Sequence, residues 1–305
     1  MKSRIGPNGV HLFDRLSGLN VLLDELRPAE TAWSTSPRQV SVALTNVCDL
    51  HCAYCYAPKF KASLHADQVL GWLRELDSGG CLGVGFGGGE PTLHPDFVDI
   101  CQGVAAETRL AVTFTTHGHR LTPQLVKRLK GSIHFARISV DGVGRSYEDQ
   151  RGKQFSSLLR GMESIATLSP FGINVVVNER TVLELDALSE LAQNVGAIEL
   201  LLLPQQATTT VPSMDTAVGR ALQEWVSNYK GKVRLAVSEA GASGLPTCDP
   251  LPDERGLQAY AHIDASGTLR ASSYSPAGVK VGDAGVLSAL KRLRNTFEVQ
   301  GDTQS

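Results

Sequence analysis

From residue 40 onward, short runs of apolar and β-branched residues alternate with helix-length amphipathic stretches, and that alternation restricts the chain to βα units around a largely parallel sheet. The strand candidates are 40–47 (VSVALTNV), 82–86 (LGVGF), 110–116 (LAVTFTT), 135–141 (FARISVD), 172–178 (GINVVVN) and 198–204 (IELLLLP). Between them lie ADQVLGWLRELD, where Val69, Leu70, Leu73 and Leu76 share a helical face, then PDFVDICQGVAAE, PQLVKRLK, FSSLLRGMESIATL and LELDALSELAQNV. Consecutive apolar residues such as Leu200 to Leu203 suit strands covered by helices on one side and a packed interior on the other. Right-handed crossovers of this length curl six strands into an α/β fold, a partial (β/α)6 TIM-like barrel. Ligands in such folds bind beyond the C-terminal strand ends. The loops starting at Cys48, Gly87, Thr116, Asp141, Asn178 and Gln205 are therefore expected around one mouth.

The flanks read differently. Residues 1–39 are too few for an independent domain and form an N-terminal extension, with 40–230 as the core. Residues 231–305 form a C-terminal extension: a strand (KVRLAVSEA), a long loop, a hairpin from LQAYAHID and GTLRASSY, and a closing helix, GVLSALKRLR. The 305 residues carry a formal net charge of −2, with no run of Lys and Arg longer than a local pair, which argues against nucleic acid as a partner. No eighteen-residue apolar run and no signal peptide occur, so a cytoplasmic protein with no membrane association is expected.

Six cysteines are present, and three of them, Cys48, Cys52 and Cys55, stand within eight residues as CDLHCAYC. That spacing is unlike a dispersed disulfide framework and points to a metal or cluster site in a reducing compartment. Directly after the first strand, the three thiols converge from one loop. A [4Fe-4S] cube on three thiolates keeps one iron open to a small molecule, whereas a pure electron carrier normally has four. The competing reading is zinc, with His51 completing a Cys3His set. Structural zinc usually closes a loop between separated ligand pairs, which this segment does not offer.

CxxxCxxC with an aromatic residue before the last cysteine resembles the radical S-adenosylmethionine (SAM) superfamily. The resemblance implies one [4Fe-4S] cluster on Cys48, Cys52 and Cys55, whose free iron chelates SAM and delivers an electron to its sulfonium. A 5'-deoxyadenosyl radical then abstracts hydrogen from an unactivated C–H bond, chemistry that the cofactor carries. FGGGEP resembles the family's GGE motif, in which Gly88 and Gly89 admit the methionine part of SAM and Glu90 meets its ammonium. The alternative is a simple glycine turn. Thr116 ends the third strand where relatives carry Thr-Asn-Gly; His117 departs from that pattern and reads as a turn residue, a ribose contact or a substrate contact. ISVDG followed by YEDQRG resembles the SPASM and molybdenum-cofactor branches, which implies that Ser139 and Arg151 pair with the SAM carboxylate. Asp141 either faces substrate or steadies the turn with Gly142. Tyr54 lies against the adenine or shields the cluster. Gln205 reads a substrate or belongs to its loop.

The segment Cys248 to Leu290 is similar to the SPASM or twitch extension, but the cysteine expected near Ala271 to Ser273 is absent. The extension is therefore expected to keep its shape without auxiliary iron, with Tyr274, Gln258 or His262 lining a substrate pocket. The substrate classes implied are a ribosomally made peptide or a small molecule such as a sugar, amino acid or nucleotide. A reducing partner such as flavodoxin or ferredoxin goes with either. The alternative of another class is a zinc- or SAM-binding scaffold without catalysis.

Overall fold

The computed structural model describes residues 1–208, 210–238 and 241–301. Seven parallel strands follow one another across the main sheet: β4 (Gln39–Thr45), β5 (Gly83–Gly88), β6 (Ala111–Thr116), β7 (Phe135–Ser139), β8 (Phe171–Val177), β9 (Glu199–Pro204) and β10 (Arg234–Val237). Six of them are the expected core strands, shifted by one or two residues. The seventh lies within the strand expected at 232–240, of which residues 239 and 240 fall outside the described residues. At the other side of β4, β11 (Tyr260–Ile263) adds in parallel, Tyr260 opposite Gln39, and continues antiparallel into β12 (Thr268–Arg270) and β13 (Val279–Lys280). The C-terminal hairpin thus extends the core sheet, beside the strand that leads into the cysteine loop. The fold is α/β with a central parallel sheet.

Helices α1 (Ala66–Ser78), α2 (Phe97–Glu107), α3 (Pro123–Leu129), α4 (Arg145–Arg151), α5 (Phe155–Ala166), α6 (Leu185–Asn194), α7 (Thr216–Asn228) and α8 (Gly285–Gly301) complete the chain. Their apolar stripes, such as Val69, Trp72, Leu73 and Leu76 on α1, pack on the even-numbered face of β4 to β7, where Val40, Val42, Val84, Val112 and Ile138 are buried. Among the described residues, the packed interior expected on the other face is incomplete. Ser41, Gly85, Gly87, Thr113, Thr115, Arg137 and Ser139 are only half-buried there, and the leucine run divides likewise, Leu200 and Leu202 buried, Leu201 and Leu203 half-exposed. The period of two leaves one face of the sheet half-open, mostly small and polar over β4 to β7 and leucine-lined at β9.

The first 39 residues carry a three-stranded antiparallel sheet, β1 (Lys2–Gly6), β2 (Gly9–Phe13) and β3 (Asn20–Leu23). Gly9 opens β2 directly after the Pro7–Asn8 turn, at φ 123°, where a Cβ would stand 2.3 Å from Leu23 O. The buried Arg4 donates to Ser36 O (2.9 Å), Gly80 O (3.1 Å) and Gln258 O (2.9 Å), and pairs with Glu254 at 2.7 Å. Ser36, Gly80 and Gln258 precede β4, β5 and β11, so one guanidinium gathers the N-terminal ends of three strands, opposite the mouth. Among the described residues, no helix is long and apolar enough to cross a membrane.

Candidate active site

The register of β4 on β5 shifts between Ala43 and Thr45, and past that irregularity the chain leaves the sheet as the cysteine loop. The glycine turn after β5 is stitched beneath it, with Gly89 N–H donating to Thr45 O (2.7 Å) and Glu90 N–H to Val47 O (2.8 Å). The approach admits only glycine. A Cβ on Gly88 would lie 2.3 Å from Thr45 O, at φ 112°, and one on Gly89 would lie 2.3 Å from Val47 O. At Gly87 a Cβ would meet nothing within 4 Å, so the turn borders open space.

Cys48, Cys52 and Cys55 carry free thiols, Cys52 buried and the others half-buried. Leu50 N–H points at Cys48 Sγ (3.4 Å). Burial foremost, with the charges of Glu90 and Asp49, holds the Cys48 thiol above its ordinary pKa. The remaining cysteines lie elsewhere. Cys101 is inside α2, Cys248 is exposed, and Cys81 is buried ahead of β5, where burial pushes its thiol up to about 11.

Two buried acids organise the surroundings. Asp141 follows β7 and is fully buried; it accepts from Tyr54 OH (2.7 Å) and Val176 N–H (2.7 Å) and pairs with Arg151, the last residue of α4. Arg151 lies 5.7 Å from the Tyr54 ring centre, and its Nη1 donates to Cys52 Sγ at 3.6 Å. Its Nε, also buried, has no hydrogen-bond partner. Burial opposes the arginine's charge, but Asp141 outweighs it and holds the group above its ordinary value; burial, then Asp141, pushes the Tyr54 hydroxyl up.

Glu90, 1% exposed, accepts from Thr92 N–H (3.3 Å), Thr92 Oγ1 (2.6 Å), Thr116 Oγ1 (2.8 Å) and His117 N–H (2.9 Å). His117 is buried, and its Nδ1 accepts from His119 N–H (3.1 Å). Its proton therefore sits on Nε2, which donates to Asp49 Oδ1 (2.8 Å). Arg120 Nε holds the other Asp49 oxygen at 3.1 Å. Burial disfavours the Asp49 charge, yet His117 and Arg120 prevail and keep its carboxyl below the usual range.

The structure thus brings together Cys48, Cys52, Cys55, Tyr54, Gly88, Gly89, Glu90, Thr116, His117, Asp141 and Arg151. Ser139 ends β7 on the open face, paired across the sheet with Asn174. Gln205 turns its amide into its own loop, donating to Pro212 O (2.8 Å) and accepting from Asn178 Nδ2 (3.3 Å). Tyr274 is 48% exposed and packs against Tyr56 with ring centres 5.1 Å apart and the rings tilted by 47°, so it meets the cysteine loop at its rim. His262 and Tyr260 reach the open face of the sheet and share Ser41 Oγ, at 2.6 and 2.5 Å. His51 is exposed, and the compact ligand group is a different one: the donor atoms of Cys48, Asp49 and His117 lie within 4.8 Å of one another. Sequence reading missed Asp49, Thr92 and Tyr56. Asp49 carried a signal, since it is the only acid between Cys48 and Asp67.

Fold and mouth define a class, an open barrel-like α/β protein with its chemistry at the C-terminal strand ends. Residues 42–192 match the Radical SAM superfamily, and the chain belongs to it. Members of that superfamily use a [4Fe-4S] cluster and SAM. Mycofactocin maturase MftC of Mycobacterium tuberculosis is 33% identical over 162 residues, covering 50% of this chain and 41% of that protein. AdoMet-dependent heme synthase of Methanosarcina barkeri is 30% identical over 176 residues, covering 55% and 50%. The chain spans about half the length of these curated relatives. Among solved structures, Streptococcus suis SuiB bound to precursor peptide SuiA aligns with 95% of this chain and 86% of that one, at a TM-score of 0.77 and 14% identity, a likeness of fold.

Proposed function

We propose that this chain holds one [4Fe-4S] cluster on Cys48, Cys52 and Cys55 and uses SAM to abstract hydrogen from a ribosomally made peptide. The observation that carries the reading is Arg151, which reaches Cys52 Sγ while its buried Nε has no partner. An orphaned guanidinium donor beside three free thiols fits an anionic group bound next to the cluster, and the planar fork suits a carboxylate. The donor set fits iron better than one zinc, whose sulfurs would all have to stand about 2.3 Å from a single ion, because Cys52 and Cys55 lie outside the compact Cys48, Asp49, His117 group.

When bound, the cluster supplies one-electron reduction of the SAM sulfonium, which arms hydrogen abstraction from an unactivated C–H bond. The protein's part is to bind and orient. Gly87 leaves room for the methionine backbone, Gly88 and Gly89 hold the turn close under the cysteine loop, and Ser139 and Arg151 hold the methionine carboxylate. Glu90 acts with its oxygens steadied by Thr92 and Thr116, and Tyr54 flanks the adenine with its hydroxyl fixed on Asp141. Gln205, Tyr274 and His262 are substrate-side residues in this reading, with Gln205 shaping the loop after β9. The dispersed, buried Cys81 and Cys101 support a single cluster, and a flavodoxin or ferredoxin is the electron donor.

The peptide substrate rests on similarity to the mycofactocin maturase and on the fold shared with a precursor-peptide complex. Similarity to AdoMet-dependent heme synthase favours a second reading, a small-molecule substrate. Anaerobic reconstitution should give a brown protein with iron for one cluster. SAM and reductant should then change the mass of a peptide encoded beside the gene. Iron for two clusters contradicts the single-cluster assignment, and a colourless zinc protein returns the scaffold alternative. An unchanged peptide, with a modified small molecule, selects the second reading.

A further inference from the structure

We infer that His117 is a positioning residue for the cluster: it locks the cysteine loop to the glycine turn. The inference rests on the cluster assignment above. It starts from a single side chain that joins three loops of the mouth. The His117 backbone N–H donates to Glu90 Oε2 (2.9 Å), which ties the loop after β6 to the turn after β5. Its imidazole Nε2–H donates to Asp49 Oδ1 (2.8 Å), which ties the same loop to the residue following Cys48. Its Nδ1 is held by His119 N–H (3.1 Å), so the ring cannot rotate without losing both ring bonds.

The donor sense assigns the role. Because Nδ1 accepts a backbone proton, Nε2 presents N–H to Asp49 and not a lone pair to a metal, so in this tautomer the ring supports the loop from outside the ligand set. Asp49 transmits the restraint. Its two oxygens are taken by His117 and Arg120, and Leu50 N–H is thereby directed at Cys48 Sγ (3.4 Å). With His117 4% exposed, the bond to Asp49 is screened from water on the imidazole side. The histidine replaces the asparagine found in the Thr-Asn-Gly pattern that the third strand end otherwise resembles, and its ring spans to Asp49 while its backbone holds Glu90. Neither a ribose contact nor a substrate contact accounts for a side chain whose two ring nitrogens are both occupied by protein.

The test compares His117→Ala, His117→Gln and Asp49→Ala with the wild type, all reconstituted anaerobically. The readouts are the rate of iron release to a ferrous chelator and the electron paramagnetic resonance spectrum of the reduced cluster with and without SAM. Loss of an outer-shell support typically weakens a metal site by about 10-fold or more, so His117→Ala and Asp49→Ala should each release iron about 10-fold faster. The losses should be less than additive in the double variant, because both singles remove the His117–Asp49 bond while each also removes a contact of its own, Asp49 with Arg120 and His117 with His119. His117→Gln, whose amide can donate to Asp49, should restore slow release. If His117→Ala does not fold, Asp49→Ala and His117→Gln carry the same comparison. Wild-type release rates and spectra in Asp49→Ala, or additive losses in the double variant, overturn the inference. Failure of the wild type itself to take up iron overturns the cluster assignment instead.

Discussion

Asp141 shows how much of the site depends on one buried carboxylate. It fixes Tyr54 and Arg151 from one side and accepts Val176 N–H from the neighbouring strand on the other. Replacing it with Asn keeps the shape but removes the counter-charge of a guanidinium whose side chain is only 11% exposed. In Asp141→Asn, SAM affinity is expected to fall about 10-fold or more while iron content stays at the wild-type level. Equilibrium SAM binding and iron analysis on the same preparation check both halves. The residue types of this network were legible in the sequence, since Tyr54, Asp141 and Arg151 each stand in a family-like motif. Their partners were not. Asp141 suited a turn with Gly142 equally well, and only packing of β7 against β8 turns its carboxylate toward the tyrosine and arginine.

The parallel strands were readable because their apolar and β-branched runs are short, bounded by glycine and proline, and separated by helices of period 3.6. Faces were harder. Leu200 to Leu203 read as buried on both sides, whereas Leu201 and Leu203 line the open face, because no second layer fills it. The N-terminal sheet was missed, although Asn8-Gly9 between two β-rich runs is a hairpin signal. Nor did the sequence disclose what that sheet does. Arg4 and Glu254, each 3% exposed in the side chain, are 250 residues apart and meet at the N-terminal ends of β4, β5 and β11. Removing one partner leaves a buried charge unpaired, so Arg4→Ala should lower unfolding free energy by about 3–5 kcal/mol. Urea titration of Arg4→Ala, Glu254→Ala and the double variant measures it. The double should lose less than the sum of the singles, and a neutral Arg4→Ala would contradict a fastening role.

Over the whole molecule the two ends of the strands have separate tasks. The N-terminal ends are fastened by ion pairs, Arg4 with Glu254 and Lys2 with Asp77, and the C-terminal ends keep glycine turns, free thiols and a half-buried polar face. Buried ion pairs stand at both ends, Arg4 with Glu254 at one and Arg151 with Asp141 at the other, but only the C-terminal ends also keep open space for a ligand. In the proposed function, Cys48, Cys52 and Cys55 hold a cluster that cleaves SAM. The most direct measurement of this cleavage is mass-spectrometric detection of 5'-deoxyadenosine after anaerobic incubation of the reconstituted protein with SAM and dithionite. The wild type should form it and Cys52→Ala should not, whereas equal amounts from both, or none from an iron-replete wild type, would contradict the claim.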